Sequence, residues 1–491
     1  MTDLAGRADC CWVANAPATD FPELSEALEC DTVIVGGGIV GLTAALALIE
    51  AGKSVIVLES RRIGGQVTGR SSAKITTQHA LIYRQLIDTR GREIAAAYAD
   101  ANRAGVARIR DWIGEFSIDC DYEPKAAYTY TLDAARAGDI HAEAEVAREL
   151  GLEARVLDKA PLPFATAAAL EFPNEAQFNP ARYLVGLAEA IADRGGRIFE
   201  QSPAIDFNRS GRWIIGTDKG EVIARNVVVA TNMTVKSPVG YSKRTQPRCH
   251  VVMGFRTDAP DAIDGMFIGI DEPTRSIRTG RDAEGPLIIT LGPRFNTGQD
   301  GDVARRFREL EEWTRAHLPV GAAAWRWCNE DYDTADRVPF VGEPDAAGSP
   351  GFFVATGFNG WGISNGTAAG LSIASEISLG SSPWGRLYDP TRPSPDDFNQ
   401  SGDSQSYVAS VEQIAAGQGG VIAKGEEKIA VWRDKAGACH AFDASCTHKG
   451  CTVTWNNADG TWDCPCHGSV FEKNGTVMHG PARKPLQPRE I

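Results

Sequence analysis

CDTVIVGGGIVGLTAALALIEAGKSVIVLE, residues 30–59, is the stretch that decides the fold of the larger part of the chain. It predicts a buried β-branched strand, a turn with the spacing Gly-x-Gly-x-x-Gly, an Ala- and Leu-rich helix, and a second strand that ends in an acid. The glycines allow a tight turn, the approach of a pyrophosphate to the backbone, and close packing of helix on strand, and the helix N-terminus offers N–H groups to the phosphates. We therefore predict a dinucleotide-binding βαβ unit. Its predicted contacts are Gly36, Gly38, Ile39, Val40 and Gly41 at the phosphates and Glu59 at the adenosine ribose hydroxyls.

Three later segments indicate which dinucleotide this unit binds. Residues 64–79, GGQVTGRSSAKITTQH, supply small and polar residues after the second strand, and residues 225–231, RNVVVAT, form a buried strand that ends in small residues. Residues 351–370, GFFVATGFNGWGISNGTAAG, predict a strand, a glycine-rich turn and a second helix N-terminus suited to an anionic group. With DRVPFVG at 336–342, this order resembles the D-amino-acid-oxidase-like (DAO) family of FAD-dependent amine and amino-acid oxidoreductases, over residues 12 to 380.

The resemblance implies FAD as cofactor and an α/β fold, in which a Rossmann-like FAD-binding domain carries an interposed mixed β-sheet substrate domain. That sheet is expected from segments near 120–170 and 245–330, and residues 357–364 are expected against the flavin pyrimidine ring. The resemblance also implies that no general base is required, because in this family the protein mainly orients the substrate and the cofactor does the difficult step. The further FAD contacts that we predict are Ser60, Arg61, Ser71, Ser72, Thr231, Gly357, Gly360, Trp361, Gly362 and Ile363.

Candidates for contact with substrate are fewer and rest on residue type. They are Tyr128, His250, Arg278 and Trp361, each of which has packing or surface exposure as its ordinary alternative. Lys74 and His79 are expected nearer the flavin ring, where they would tune it, and a solvated lysine is the alternative for Lys74.

Two short motifs near the C-terminus have the composition of a metal site. CTHKGC at 446–451 and CPCHGS at 464–469 each offer thiolate and imidazole ligands, and a spacer of hairpin size separates them. Structural zinc is one alternative, but zinc sites favour CxxC pairs and do not use six potential ligands. The motifs resemble the Rieske iron–sulfur family, in the disulfide-bearing branch found in cytochrome bc complexes.

The Rieske resemblance implies a [2Fe-2S] cluster with a mixed ligand set. Histidine ligands remove negative charge and raise the reduction potential to roughly −150 to +300 mV. High-potential members carry a tyrosine that hydrogen-bonds to a ligand sulfur, whereas this chain has Phe471 and keeps only the serine donor, Ser469, so we expect a lower potential within that range. The implied roles are Cys446 and Cys464 on one iron, His448 and His467 on the other, and a disulfide between Cys451 and Cys466.

The composition of the chain indicates its domain boundaries and which classes of partner it excludes. We predict an N-terminal arm (1–29), the oxidoreductase domain (30–380), a semi-extended linker rich in Pro, Ser, Asp and Gly (381–406), and a small all-β Rieske domain (407–491). The formal net charge of −14 argues against nucleic acid. No apolar run of about eighteen residues predicts a membrane span, and no secretory signal is evident, so we expect a cytoplasmic protein.

The combination resembles FAD-dependent oxidoreductases fused to a C-terminal Rieske domain. We expect an amine or amino-acid-like small molecule to deliver hydride to FAD, and electrons to pass singly through the cluster to a carrier protein or a quinone. The alternative is reverse flow, in which the cluster feeds a flavin that carries out a reductive or oxygen-dependent reaction. Two other interpretations are a Rieske oxygenase, for which no paired two-His-one-carboxylate spacing is evident, and a non-enzymatic carrier.

Overall fold

The structure is a computed structural model that describes residues 4–345, 347–393 and 407–490. The helices are α1 (Cys11–Ala14), α2 (Ile39–Glu50), α3 (Ile82–Arg90), α4 (Arg92–Glu115), α5 (Ala137–Glu149), α6 (Pro180–Asp193), α7 (Val303–His317), α8 (Gly362–Leu379) and α9 (Gly385–Tyr388). Among the helices of the described residues, none is both long enough and apolar enough to cross a membrane.

The strands are spread along the whole length of the described chain. Up to residue 229 they are β1 (Arg7–Ala8), β2 (Ala27–Val35), β3 (Val55–Leu58), β4 (Lys74–Ile75), β5 (Glu123–Pro124), β6 (Ala127–Thr131), β7 (Arg155–Leu157), β8 (Ala168–Phe172), β9 (Ala176–Gln177), β10 (Arg197–Phe199), β11 (Asp206–Ser210), β12 (Arg212–Gly216) and β13 (Glu221–Val229). Up to residue 356 they are β14 (Thr245–Arg256), β15 (Met266–Gly269), β16 (Ser276–Asp282), β17 (Gly285–Leu291), β18 (Phe295–Asn296), β19 (Ala323–Thr334), β20 (Phe340–Gly342) and β21 (Phe352–Thr356). The last are β22 (Gly419–Lys424), β23 (Glu427–Arg433), β24 (Cys439–Asp443), β25 (Thr454–Asn456), β26 (Thr461–Asp463), β27 (Val470–Glu472), β28 (Val477–His479) and β29 (Pro488–Arg489).

The predicted βαβ unit forms the centre of the first sheet. Its order is β10-β3-β2-β13-β12-β11, with β21 parallel to β13 and β20 antiparallel to β21. β2 and β3 run parallel, as a helical crossover through α2 requires. The turn between β2 and α2 accepts only glycine at two points: a Cβ on Gly36 (φ +113°) would lie 2.5 Å from the Ala230 carbonyl oxygen, and one on Gly41 would lie 1.9 Å from that of Gly36.

A second, larger sheet lies over the first sheet, and the predicted interposed mixed sheet is thus confirmed. Its order is β1-β19-β14-β17-β16-β15-β6-β8-β7, with β18 beside β14. Most neighbours are antiparallel, whereas β15 runs parallel to β6 and β1 parallel to β19. The polar residues of β19 point alternately to the two faces of this sheet.

The C-terminal residues form the small all-β domain that the sequence predicts. Two antiparallel sheets, β22-β23-β24-β29 and β25-β26-β27-β28, pack around buried aromatic rings, among them Trp455 and Trp462, whose centroids lie 4.8 Å apart. The first Cys/His motif lies in the loop between β24 and β25, and the second lies in the loop between β26 and β27.

The first part of the predicted semi-extended linker is folded. Residues 382–393 contain α9, in which Leu387 and Tyr388 are fully buried, and Arg392 forms a buried ion pair with Asp336 (Nε to Oδ2, 2.8 Å). The composition of this segment did not predict a helix, because its few apolar residues lie among Pro, Ser and Asp. Residues 394–406, the rest of that prediction, lie outside the described residues.

Candidate functional site

A cavity of about 690 Å³ lies between the two sheets. Its floor is formed by the N-termini of α2 and α8, and its roof by β14, β17 and β19. The structure brings together in its wall many residues that we predicted as FAD contacts: Gly38, Ile39, Val40, Ser71, Ser72, Gly360, Trp361, Gly362 and Ile363.

Both helix N-termini at this cavity fit an anionic dinucleotide. α2 begins after Gly38 and α8 after Trp361, and neither cap residue supplies a side-chain hydrogen bond to the first turn. The Ile39 N–H donates to the Thr68 hydroxyl at 3.3 Å, and the other first-turn N–H groups, which lack a side-chain cap, are available to phosphate or a carbonyl group. The close turn at Gly36 and Gly41 and the size of the cavity agree with this fit.

Glu59 occupies the place expected of the ribose-binding acid, at the end of β3. Its carboxylate is 7% exposed and accepts hydrogen bonds from the backbone N–H groups of Gly37 and Arg61, each at 2.8 Å. Ser60 donates its hydroxyl to the same carboxylate at 3.2 Å. Burial raises the pKa of Glu59, while these hydrogen bonds oppose the rise.

Several predicted FAD contacts stand behind the cavity wall. The Thr231 hydroxyl donates to the carbonyl of Met233 at 2.6 Å, and it is the neighbouring residues 230 and 232 that line the cavity. The Arg61 guanidinium turns away and donates to the carbonyl of Val477 in the C-terminal domain. Gly357 (φ +81°) shapes the turn after β21, because a Cβ there would lie 2.4 Å from Thr334.

The polar roof of the cavity was not predicted from the sequence. Asn329, Asp331 and Asp333 alternate along β19 and line the cavity, together with Arg294. Asp331 accepts a hydrogen bond from the backbone N–H of Gly360 at 2.6 Å, and burial raises its pKa to about 6. Arg294 pairs with Asp333 at 2.6 Å. The sequence pattern that could have predicted this roof is NEDYD at 329–333, in which acidic residues occur inside a strand.

Of the four candidates for substrate contact, His250 and Trp361 line the cavity. The His250 Nε2 atom is buried and has no hydrogen-bond partner in the described part of the chain. Burial lowers the pKa of His250 to about 3, so the imidazole is neutral and either donates or accepts a hydrogen bond, as its tautomer dictates. Trp361 stacks on His79, with ring centroids 4.6 Å apart.

Tyr128 and Arg278 do not line the cavity. Tyr128 stacks on Phe267 at 4.9 Å and donates its hydroxyl to Glu171 at 2.8 Å. The Arg278 guanidinium is buried, packs on the ring of Trp12, and donates to backbone carbonyls at 72, 73 and 279. Both side chains stabilise the roof.

Lys74 and His79 have different surroundings. Lys74 lines the cavity and donates to the carbonyl of Phe267 at 2.8 Å and to the hydroxyl of Ser276 at 2.5 Å. Burial lowers its pKa to about 7, so it is not the solvated lysine of the alternative interpretation. His79 is buried behind the wall, and its Nδ1 lies 2.6 Å from the Tyr98 hydroxyl.

The two C-terminal motifs meet in space, as predicted. Cys451 and Cys466 form a disulfide that joins their loops. Backbone turns close each loop, with the N–H of Cys446 bonded to the Cys451 carbonyl and that of Cys464 to the Ser469 carbonyl, each at 2.8 Å.

The four predicted iron ligands form two pairs, the thiols of Cys446 and Cys464 and the imidazoles of His448 and His467. Hydrogen bonding to Cys464 lowers the pKa of the Cys446 thiol to about 7, and the Ser469 hydroxyl also bonds to that sulfur. The imidazole centroids of His448 and His467 lie 4.8 Å apart, and both Nδ1 atoms are buried without a hydrogen-bond partner among the described residues. Two thiols on one side and two free ring nitrogens on the other suit a [2Fe-2S] group, on which sulfide completes each iron.

The far face of β19 contacts the cluster loops. The Tyr332 hydroxyl donates to the His467 carbonyl at 3.1 Å and to Glu330 at 2.9 Å. The Tyr332 carbonyl accepts from the backbone N–H of Asn359, in the turn before α8, at 3.0 Å. A Cβ on Gly468 would lie 2.5 Å from the Tyr332 hydroxyl, so the cluster loop approaches the strand as closely as glycine allows. One residue therefore bridges the two sites.

Residues 31–376 match the DAO family, described as FAD dependent oxidoreductase, and residues 404–489 match the Rieske [2Fe-2S] domain. The chain therefore belongs to the DAO family of FAD dependent oxidoreductases and carries a Rieske domain at its C-terminal end. The two predicted cofactors, FAD and a [2Fe-2S] cluster, are those of the two families, and the predicted enzyme class, an oxidoreductase, is confirmed.

Two curated relatives and one solved structure show how far the likeness extends. YhfW of Bacillus subtilis (strain 168), named as a Rieske 2Fe-2S iron-sulfur protein, is 31% identical over 97% of this chain and 96% of its own. The gamma-glutamylputrescine oxidoreductase of Escherichia coli (strain K12) is 29% identical over 72% of this chain and 85% of its own. The crystal structure of L-proline dehydrogenase from P. horikoshii superposes with a TM-score of 0.62 and 20% identity, over 76% of this chain and 98% of its own, which shows a shared fold.

Proposed function

We propose that the protein oxidises an amine or an amino-acid-like amine in the cavity and passes the electrons singly through the Rieske cluster to an external acceptor. The observation that carries this proposal is the position of Tyr332, which is hydrogen-bonded to the turn before α8 on one side and to the His467 carbonyl on the other. When bound, FAD supplies the acceptor for hydride, and the cluster supplies a one-electron carrier.

The cavity roof suits the binding of an amine. His250 presents a neutral imidazole with an unpartnered Nε2, which can orient a substrate N–H group or accept its proton. Asp331 adds a carboxyl group whose pKa is raised to about 6 by burial. The charges of Arg294 and Asp333 offset each other in their ion pair, so the roof has no large excess of one charge. The amine class also agrees with the gamma-glutamylputrescine oxidoreductase, whose name identifies an amine derivative.

The residues that would hold the cofactors follow from the placements above. FAD would lie along the N-termini of α2 and α8 with Glu59 at its ribose end, and the positions lining the cavity would contact its ring and pyrophosphate. The cluster would be held by Cys446 and Cys464 on one iron and by His448 and His467 on the other, with the disulfide clamping the loops. The role of this chain in the reaction is to orient the amine, exclude water and keep the two centres on opposite sides of β19.

Anaerobic mixing of the fully loaded protein with candidate amines tests the proposal. We expect the yellow flavin absorbance to bleach first and the EPR signal of a reduced cluster with mixed His/Cys ligation to appear afterwards. Bleaching without a cluster signal would overturn the electron route. Reverse flow is tested in the same apparatus, because a chemically reduced cluster would then reduce the flavin in the absence of any amine. A cytoplasmic location stays a prediction of the sequence.

A further inference from the structure

The two histidines that we propose as iron ligands have different surroundings. His467 is only 4% exposed, because the strand β19 covers its loop through Tyr332. His448 is partly exposed and is followed by two exposed residues, Lys449 and Gly450. Of the two imidazoles, His448 therefore has the freer path to solvent.

Basic side chains surround this exposed edge. Lys449 follows His448 directly, and Arg483 and Lys484 come from the loop after β28, which is held beside the first motif by a hydrogen bond from the Thr447 hydroxyl to the Lys484 carbonyl at 2.6 Å. The first motif and the loop after β28 therefore place three basic residues beside the exposed edge of His448.

The larger domain adds to the same surface. The Lys449 ammonium donates to the hydroxyl of Ser242 at 3.1 Å, which brings exposed Lys243 to the seam, and Arg483 donates to the carbonyl of Ile205. Asp206, next in the chain, is the exposed acid at this point. We call Lys243, Lys449, Arg483 and Lys484 the basic rim.

The basic rim has the opposite sign to the net charge of the chain. The protein has 64 acidic and 50 basic residues, for a formal charge of −14, and many of its arginines are paired with carboxylates. None of the four rim residues forms an ion pair with a carboxylate in the part of the chain that the structure describes. A positive surface whose charges are not paired with carboxylates attracts negative charge from solution, while the acidic remainder of the protein repels it.

We propose that the basic rim docks an acidic one-electron carrier protein, which takes electrons from the cluster over the His448 edge. This inference rests on the proposed function and names the class of its partner. In each encounter one electron leaves the reduced cluster, which is oxidised, and the carrier is reduced, so two encounters complete each two-electron oxidation of substrate. Opposite charges steer such encounters and orient the partner, and their effect falls with ionic strength.

The test compares two high-potential carriers of opposite charge, an acidic blue-copper protein and a basic c-type cytochrome. Binding to the chemically reduced holoprotein is measured by calorimetry in buffer of about 0.01 M and about 0.15 M ionic strength, over which range screening becomes strong. We expect the acidic carrier alone to bind, with an affinity that drops as salt is added.

Charge reversal locates the surface. The double variant K243E/K484E leaves the seam hydrogen bonds of Lys449 and Arg483 intact, and we expect it to weaken binding of the acidic carrier by about tenfold or more at low salt, since like charges then meet. K159E, on an exposed lysine near β7 at the far edge of the roof sheet, is the matched control and should bind as wild type does.

Three results would overturn the inference: tighter binding of the basic carrier, equal binding by K243E/K484E and wild type, or reoxidation of the cluster by a quinone with no binding of either carrier. Substrate-driven reduction of the cluster is followed in each variant by EPR. If that reduction persists while the acidic carrier fails to bind, only the docking inference fails; if it is absent in wild type, the proposed function fails.

Discussion

At the scale of single residues, burial determines the chemistry of the cavity. Lys74 is 7% exposed and its ammonium faces Phe267 and Ser276 rather than a carboxylate. Burial, with a smaller effect of the nearby Arg278 charge, lowers the pKa of Lys74 to about 7. A lysine that is partly neutral at physiological pH is able to exchange protons inside the cavity, whereas a solvated lysine stays charged.

The substitution K74M tests this pKa through stability. The unfolded chain keeps its lysine protonated up to about pH 10.4, and the folded chain releases the proton near pH 7, so between these values the unfolded state binds more protons and the free energy of unfolding rises with pH. We expect the free energy of unfolding of wild type, minus that of K74M, to rise by about 1 kcal/mol per pH unit between about pH 7.5 and 9.5 in urea titrations. K159M, on an exposed lysine, serves as control. A difference that does not change with pH would mean that Lys74 stays charged in the folded protein.

At the scale of elements, β19 separates the two sites and also joins them. Because side chains alternate along a strand, Asp331 faces the cavity between the sheets, while Glu330 and Tyr332 face the loops of the two Cys/His motifs. Gly468 makes the close approach of the second loop possible, since any Cβ there would collide with the Tyr332 hydroxyl. The strand is thus a short protein connection between the cavity wall and a proposed iron ligand.

Removal of the Tyr332 hydroxyl tests this connection. Y332F keeps the ring but leaves Glu330 and the His467 carbonyl without their donor, which we expect to cost about 1–3 kcal/mol in the free energy of unfolding. Stopped-flow absorbance with EPR should show unchanged bleaching of the flavin by substrate and slower reduction of the cluster. Y183F is the matched control, because the Tyr183 hydroxyl is buried without a hydrogen-bond partner among the described residues. Equal rates in Y332F and wild type would remove Tyr332 from the electron route.

The disulfide between the two motif loops is expected to stabilise the C-terminal domain. Cys451 and Cys466 lie 15 residues apart, and a crosslink over a loop of that length stabilises by about 3 kcal/mol. We expect C451S/C466S to unfold its C-terminal domain at lower urea concentration and to lose iron faster on mild heating. C439S, which alters a free cysteine on β24, is the control. Retention of iron equal to that of wild type would show that the loops hold their arrangement without the crosslink.

At the scale of the whole molecule, the C-terminal domain is held against the larger one at several points. Asn457 contacts the start of α7, where its side chain accepts from the N–H of Ala304 and donates to Asp302, each at 2.9 Å. Arg61, directly after the βαβ unit, reaches the carbonyl of Val477. These contacts hold the cavity and the two Cys/His loops against each other within one molecule.

A consequence for kinetics follows from this arrangement. If electrons pass within one molecule, the rate of cluster reduction after flavin bleaching is independent of protein concentration, since no encounter is needed. We expect the same rate constant over a tenfold dilution series in anaerobic stopped flow. A rate that falls in proportion to concentration would mean that the flavin of one molecule reduces the cluster of another.

Much of the architecture was accessible from local patterns. The glycines at 36, 38 and 41 and the acid at Glu59 depend on backbone geometry within a few residues, so their spacing alone predicts the nucleotide-binding unit that the structure contains. The two Cys/His motifs are equally local, and their resemblance to the Rieske family implied the domain that carries them. The segment with α9 was mispredicted because composition does not show which apolar residues find a surface to pack on.

What the sequence by itself determined is the pair of cofactor families and the order of the domains, because those motifs are short and contiguous. Only the tertiary structure decided that Arg278 is a support of the roof, that Lys74 is buried, and that Tyr332 meets the His467 carbonyl across a separation of 135 residues. The physical reason is that burial, pKa and contacts across a seam depend on packing between distant segments, which no local spacing records.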